Sequence, residues 1–197
     1  MPKGDHFYTT ATTERDNALA FYGYVLEGTA CFVFETPTTL VAGPTALFRL
    51  YNRGNGDHFY TTSATERDSV LAGGYASEGT ACFAFSSASP ADPGRVPFFR
   101  LYNPVNGDHF YTTSAEERDN ALVGGYRSQG IACFVYSSAL TGTVPLFRLY
   151  KPNEPAKRVL HHTKILQTPS VSITALFLAA EHGRIEFVVG VCRHDAP

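Results

Sequence analysis

Two short motifs, each present three times, carry most of the side chains in this chain that could do chemistry. Asp-His-Phe-Tyr-Thr-Thr occupies 5–10, 57–62 and 108–113, and Phe-Arg-Leu-Tyr occupies 48–51, 99–102 and 147–150. Successive side chains of a strand point to opposite faces. His6 and Tyr8 are therefore expected on one face of the first motif, and Arg49 and Tyr51 on one face of the second.

Aromatic rings beside His, Asp and Arg are the groups that a sugar site needs, because flat rings pack on sugar faces and polar groups bind hydroxyls. Tyr would do the stacking, since the chain has no Trp. We predict three equivalent shallow sites, a pattern that suits glycans because multivalency strengthens weak single contacts. A solvated surface, or a polar network that only tethers the strands, is the alternative. The predicted ligand-binding residues are Asp5, His6, Tyr8, Arg49, Tyr51, Asp57, His58, Tyr60, Arg100, Tyr102, Asp108, His109, Tyr111, Arg148 and Tyr150.

The acidic members of these motifs also have structural interpretations. Asp5, Asp57 and Asp108 each follow a turn glycine, where a carboxylate can accept a backbone hydrogen bond. If they bind sugar instead, Asp57→Ala with Arg100→Ala is expected to weaken binding without unfolding the chain. Three equivalent histidines would bind zinc only if they met on one axis. We therefore predict no metal and no cofactor.

A Glu-Arg-Asp block follows each aromatic motif, at 14–16, 66–68 and 117–119. Ser63 with Glu66, and Ser114 with Glu117, fit the capping box of a helix start. We therefore predict that Glu14, Glu66 and Glu117 cap short helices, with a frayed start in the first copy. The neighbouring Arg and Asp residues are interpreted as structural ion pairs or solvated charges.

Cys31, Cys82 and Cys133 recur every 51 residues in apolar segments. Three equivalent thiols cannot pair among themselves, so we interpret them as buried free cysteines that act as small apolar residues. Cys192 has no assigned role.

The repeated blocks predict a mainly β fold with short helices. Phe-Arg-Leu-Tyr and His-Phe-Tyr-Thr-Thr read as strands joined by Asn/Gly turns, followed by a helix and a third strand. The first unit lacks its leading strand, while the third ends with an extra one at 147–150. We favour a closed pseudo-threefold repeat, β-trefoil-like or a three-bladed toroid, in which 147–150 pairs with 5–10 and no sheet edge is free. An open row of units is the alternative.

The composition changes after Tyr150, because none of the 11 tyrosines lies beyond it. We predict a threefold-repeat domain over 1–151, with units at about 4–51, 52–102 and 103–151, and a linker with a helical tail over 152–197. Residues 173–191 are helical in character, and 174–189 resemble the helix-turn-helix of one ankyrin repeat. One such unit cannot bury its own apolar face, so the tail is a candidate surface for a homo-oligomer.

Charge and motif content exclude several classes of function. A formal charge of −2 gives no electrostatic reason to bind nucleic acid, and no apolar run is long enough for a membrane span. Phosphate loops, nucleophile elbows and zincin motifs are absent from the sequence, and threefold repetition favours binding over catalysis. We therefore expect that the protein is not an enzyme.

The first residues lack the apolar core of a signal peptide, which predicts a protein that is cytoplasmic or released without a standard signal.

The whole repeat resembles a family of unknown function found in fungal and bacterial proteins, typically in threes. The blocks that carry this resemblance are Leu-Tyr-Asn-x-x-x-Gly-Asp-His-Phe-Tyr-Thr-Thr, Glu-Arg-Asp, Gly-Tyr-x-x-(Glu/Gln)-Gly-x-Ala and Pro-Leu-Phe-Arg-Leu-Tyr, over about residues 4–151. In bacteria the family tends to occur in exported proteins, sometimes beside cell-wall hydrolases. The resemblance implies a lectin-like or accessory glycan-binding role and allows an extracellular location. A structural or protein-interaction module is the alternative.

Overall fold

The computed structural model describes residues 4–38 and 43–152, and the backbone of three strands between 166 and 191. The chain divides into two compact units, Met1–Ala156 and Lys157–Pro197. Nine strands and three helices form the described part of the first unit. They are β1 (Asp5–Thr9), α1 (Thr12–Phe21), β2 (Val25–Val33), β3 (Pro44–Tyr51), β4 (His58–Thr61), α2 (Ala64–Ala72), β5 (Ala76–Phe85), β6 (Arg95–Tyr102), β7 (His109–Thr112), α3 (Ala115–Val123), β8 (Arg127–Tyr136) and β9 (Val144–Lys151).

The mainly β class with short helices and the predicted hairpins are confirmed. β3 pairs antiparallel with β4, and β6 with β7. The turns before β4 and β7 contain Gly56 and Gly107 at φ of 85° and 83°. Glycine adopts this conformation without steric cost. The first and last strands of the first unit supply the third pair, because β9 pairs with β1 from Asp5↔Lys151 to Thr9↔Phe147.

The helix starts agree with the sequence in part. The Ser63 and Ser114 hydroxyls accept hydrogen bonds from the backbone N–H groups of Glu66 and Glu117, whereas Ala11 gives α1 no side-chain cap. The predicted capping role of the glutamate carboxylates is wrong. The N–H groups of Ser63 and Ser114 are bonded instead by threonine hydroxyls, and the carboxylates turn toward arginines.

The prediction of a closed sheet is also wrong. Strand order runs β1-β9-β2-β8-β5-β3-β4, with β6 joined to β8 and β7 to β6. Among the described strands, β1, β4 and β7 each pair with a single neighbour, and we call these three the inner strands. They have four or five residues and meet through side chains, so each keeps one backbone edge without a strand partner.

Tyrosine hydroxyls satisfy these buried edges. The Tyr60 hydroxyl donates to the carbonyl of Tyr8 and accepts from its N–H, both at 2.8 Å. The Tyr8 hydroxyl does the same for Tyr111, and the Tyr111 hydroxyl for Tyr60. Buried backbone groups need partners, and here three side chains supply them in a cycle. The three tyrosines are at most 1% exposed and form the centre of the core.

The repeated cysteines lie in the same core, as predicted. Cys31, Cys82 and Cys133 are free thiols, each 1% exposed, packed with Leu47 and Val135. Burial raises the pKa of Cys133 to about 12, so these thiols stay protonated and act as apolar residues. Arg15, Arg67 and Arg118 form the expected ion pairs with the aspartate that follows each of them.

The described backbone of the second unit is a three-stranded antiparallel sheet of β10 (Leu166–Thr168), β11 (Val171–Ala179) and β12 (Ile185–Val191). The helical tail and its ankyrin-like helices are therefore not confirmed. β-Branched and aromatic residues such as Ile173, Phe177 and Val188 favour strands. In the described part of the chain, no helix has the length and apolarity needed to cross a bilayer.

Candidate functional site

Three related pockets lie where neighbouring repeat units meet. Each is lined by phenylalanine, glutamate, tyrosine, arginine, histidine and a Glu or Gln from a strand. The first pocket, of about 500 Å³, contains Phe7, Glu14, Tyr24, Arg49, His58 and Glu78. The second, of about 400 Å³, contains Phe59, Glu66, Tyr75, Arg100, His109 and Gln129. The third, of about 260 Å³, contains Phe110, Glu117, Tyr126, Arg148, His6 and Glu27.

A β-bulge supplies one wall of each pocket. Opposite Arg148 the pairing of β2 with β9 shifts register between Leu26 and Gly28, which leaves Glu27 as the extra residue. Gly28 follows at a φ of 120°. A bulge bends the strand and re-aims its side chain, and Glu27 Oε2 lies 2.8 Å from Arg148 Nε. Glu78 approaches Arg49 in the same way, also at 2.8 Å.

The arginine of each pocket is held from its other side by the first turn of a helix. In the first pocket both terminal nitrogens of Arg49 donate to the carboxylate of Glu14, at 3.0 and 2.8 Å. Such two-point pairs fix the guanidinium in one orientation. Arg100 with Glu66 and Arg148 with Glu117 repeat the arrangement.

These ion pairs shift the pKa of the glutamates. Hydrogen bonds from Arg100 lower the pKa of Glu66, against partial burial and with help from Thr61. Partial burial alone would raise the pKa of Glu14, but hydrogen bonds from Arg49 and Thr9 outweigh it and the pKa is lowered. The glutamates are therefore anions at neutral pH, each paired with a cationic arginine.

Each histidine joins a pocket to a buried aspartate. His58 Nδ1 lies 2.7 Å from Asp5 Oδ2, and the His58 N–H donates to Asp5 Oδ1 at 2.9 Å. Its Nε2 faces the pocket, 3.6 Å from Glu78 Oε2. The ring packs against Tyr51 and Phe7 at centroid distances of 4.7 and 4.8 Å. The imidazole is therefore fixed between the core and the pocket.

The three aspartates lie close together, whereas the sequence suggests only the histidines as candidates for a shared metal site. Carboxylate oxygens of Asp5, Asp57 and Asp108 lie within 4.8 Å of one another, and all three residues are buried. Each carboxylate accepts three hydrogen bonds, from a histidine N–H, the same histidine's Nδ1 and a tyrosine hydroxyl. The spacing would suit a cation, but protein donors occupy both oxygens of each group. We therefore interpret this aspartate hub as structural.

The members of the aspartate hub differ in electrostatics. Burial raises the pKa of Asp57, against the hydrogen bonds from His109 and Tyr75. Burial would also raise the pKa of Asp108, but the hydrogen bonds from His6 and Tyr126 outweigh it and the pKa is lowered. The surroundings therefore stabilise the ionised form of Asp108 more than that of Asp57.

The structure separates the predicted ligand-binding residues into two groups. Those buried in the aspartate hub and in the tyrosine cycle have no free surface to offer a ligand: Asp5, Asp57, Asp108, Tyr8, Tyr60 and Tyr111. Those that line the pockets or pack on their histidines are His6, His58, His109, Arg49, Arg100, Arg148, Tyr51, Tyr102 and Tyr150. The aspartate carboxylates bond to histidine N–H groups from another unit, not to their own turns.

Several pocket residues were not among those predicted. Glu27, Glu78 and Gln129 come from the recurring (Glu/Gln)-Gly pair, whose glycine marks the bulge. Tyr24 and its equivalents come from the Gly-Tyr block, and burial together with the nearby Asp5 raises the pKa of the Tyr24 hydroxyl. That hydroxyl therefore keeps its proton and donates to Asp5. The (Glu/Gln)-Gly pair and the Gly-Tyr block are both visible in the repeat. Strand alternation, on which the predicted ligand-binding residues depend, does not account for β-bulges.

Acid should destabilise the fold through the pocket ion pairs. Because the pKa of Glu14, Glu66 and Glu117 is lowered by folding, their contribution is fully present above pH 4.5 and is lost as the pH falls through the folded-state values. The raised pKa of Asp57 acts in the opposite direction, but it is one group against three. We expect the thermal midpoint, followed by circular dichroism, to fall as the pH is lowered below 4.5.

Glu66→Gln should flatten this pH dependence, because it removes one of the titrating groups. The matched control is Asp68→Asn, which removes a carboxylate that is 63% exposed in its pair with Arg67 and therefore contributes little. An identical acid profile for wild type and Glu66→Gln would contradict the assignment.

The described residues define a mainly β protein with three short helices and three related pockets between its units. A family model described as "Domain of unknown function (DUF5648)" matches residues 1–91 and again residues 46–165. The chain belongs to this family. The resemblance to a family of unknown function is thereby confirmed. No curated protein and no solved structure matches the chain.

Proposed function

We propose that the protein is a non-catalytic carbohydrate-binding module, built from three units with pseudo-threefold symmetry and with one site at each junction between units. The observation that carries the proposal is the recurrence of one set of side chains in all three pockets. Glutamate, histidine and arginine offer acceptors and donors for hydroxyls, and tyrosine offers a ring for stacking.

The fixed arginine favours binding over catalysis in this proposal. Arg49 has both terminal nitrogens bonded to Glu14, and its Nε lies beside Glu78. The guanidinium is therefore a rigid wall of the pocket, fixed in position, and does not exchange protons with a ligand. Such a wall suits a neutral polyol, which is recognised by fixed hydrogen-bonding groups. Three sites on one chain would add multivalency to weak single contacts.

A glycan array combined with haemagglutination tests the proposal. We expect the folded protein to be retained on a defined set of glycans and to cross-link cells that display them, with inhibition by the free sugar. Tyr102→Ala should lower the agglutination titre by altering the second pocket, whereas Val123→Ala, at a site 91% exposed and outside the pockets, should not. Retention on no glycan by a correctly folded chain would overturn the proposal and favour the structural or protein-interaction module.

A further inference from the structure

The three pockets are not equal, and the differences begin in the sequence. Between the Glu-Arg-Asp block and the following tyrosine, the second and third units have Gly73-Gly74 and Gly124-Gly125. The first unit has Phe21, Tyr22 and Gly23, one residue more. Phe21 is therefore the last residue of α1 and Tyr22 is its C-cap, whereas glycine is the C-cap of α2 and α3.

Only one of these two aromatic residues lines the first pocket. Tyr22 forms the C-cap of α1, is 62% exposed and belongs to the pocket wall. Phe21 is 75% exposed and is not part of that wall. The first pocket is also the largest of the three, at about 500 Å³. An exposed ring in a pocket that also holds carboxylates is an arrangement that suits sugar stacking.

The charges of the first pocket select the kind of sugar. Its carboxylates, Glu14 and Glu78, have side chains that are 40% and 32% exposed. Their arginine partner is only 13% exposed. Lys151 also lines the pocket, with its ammonium 5.5 Å from the centroid of the Tyr24 ring. The two glutamates accept hydrogen bonds from sugar hydroxyls, which donate, and they outnumber the single lysine that could attract a sugar carboxylate.

We propose that the first pocket is the principal binding site and that it takes a neutral hexopyranose, stacked on Tyr22 with its hydroxyls donating to Glu14 and Glu78. This inference rests on the proposed function and adds to it the site and the sugar class. The second and third pockets have no counterpart of Tyr22, and the second has Gln129 in place of a glutamate.

Titration of the full chain with small glycosides tests the inference. The probes are the methyl β-glycosides of glucose, galactose and N-acetylglucosamine, with methyl β-glucuronide as the acidic counterpart. We expect the best neutral glycoside to bind at least about 10-fold more tightly than the glucuronide. Tyr22→Ala should weaken that binding by about 10-fold, the scale of one lost aromatic contact.

Phe21→Ala is the matched control, because it removes a neighbouring exposed ring that does not line the pocket. It should leave affinity unchanged, and Tyr22→Phe, which keeps the ring, should bind close to wild type. If wild type binds a neutral glycoside and Tyr22→Ala binds it equally well, the inference is wrong and the proposed function stands. If wild type binds the glucuronide best, the sugar class is wrong. If neither these glycosides nor any glycan of the array binds, the proposed function fails as well.

Discussion

Tyr60→Phe should lower the free energy of unfolding by about 2–6 kcal/mol, although it removes a single oxygen atom. The Tyr60 hydroxyl bonds both the N–H and the carbonyl of Tyr8, and all these groups are buried. Without it, two backbone groups lose their partners in the core, and each such loss costs about 1–3 kcal/mol. Urea unfolding followed by circular dichroism measures the difference.

The cycle of tyrosines supplies a stringent internal check. Tyr8→Phe and Tyr111→Phe also remove a hydroxyl that bonds one backbone N–H and one carbonyl. Each should therefore lower the free energy of unfolding by as much as Tyr60→Phe. Tyr22→Phe serves as the control, because Tyr22 is 62% exposed and surface changes of this kind stay within about 0.5 kcal/mol. A Tyr60→Phe protein as stable as the control would mean that the hydroxyls do not hold the inner strands together.

The sequence could predict the local elements because their signals are local. The hairpins, the helices capped by Ser63 and Ser114, and the pairing of 147–150 with 5–10 all follow from turn residues, capping residues and repeat counting. The mainly β class follows from them, and the buried thiols follow from their equivalent apolar positions. Each of these inferences needed only the residues in the segment or its repeats.

Strand alternation failed at the places where the fold departs from a regular half-buried strand. It placed Tyr8 on an accessible face, whereas Tyr8 is buried, because the inner strands are covered on both faces and at one edge. It also gave no role to Glu27, which a bulge turns toward Arg148. The meeting of Asp5, Asp57 and Asp108 joins residues about 50 to 100 positions apart, so only the folded chain brings them together.

Asp57→Ala should lower the free energy of unfolding by about 3–5 kcal/mol. Asp57 is 1% exposed and accepts from the His109 N–H, His109 Nδ1 and the Tyr75 hydroxyl. Removing a buried charged partner of this kind leaves its donors without acceptors. The expectation that Asp57→Ala with Arg100→Ala leaves the fold intact is therefore replaced by one of unfolding or strong destabilisation, measured in urea against the surface control Asp68→Ala.

Asp57→Asn separates the hydrogen bonding of the aspartate hub from the cost of its buried negative charge. The amide keeps one acceptor oxygen for the donors of His109 and removes one of three carboxylates whose oxygens lie within 4.8 Å of one another. If hydrogen bonding dominates, as the three donors per carboxylate indicate, Asp57→Asn should be less stable than wild type at pH 7 but more stable than Asp57→Ala. An Asn variant that is more stable than wild type would show that the cost of burying this charge dominates, in agreement with the pKa of Asp57, which burial raises. In either case a loss of glycan binding in Asp57 variants would report on the core, because the pocket surface belongs to residues such as Tyr22 and Glu78.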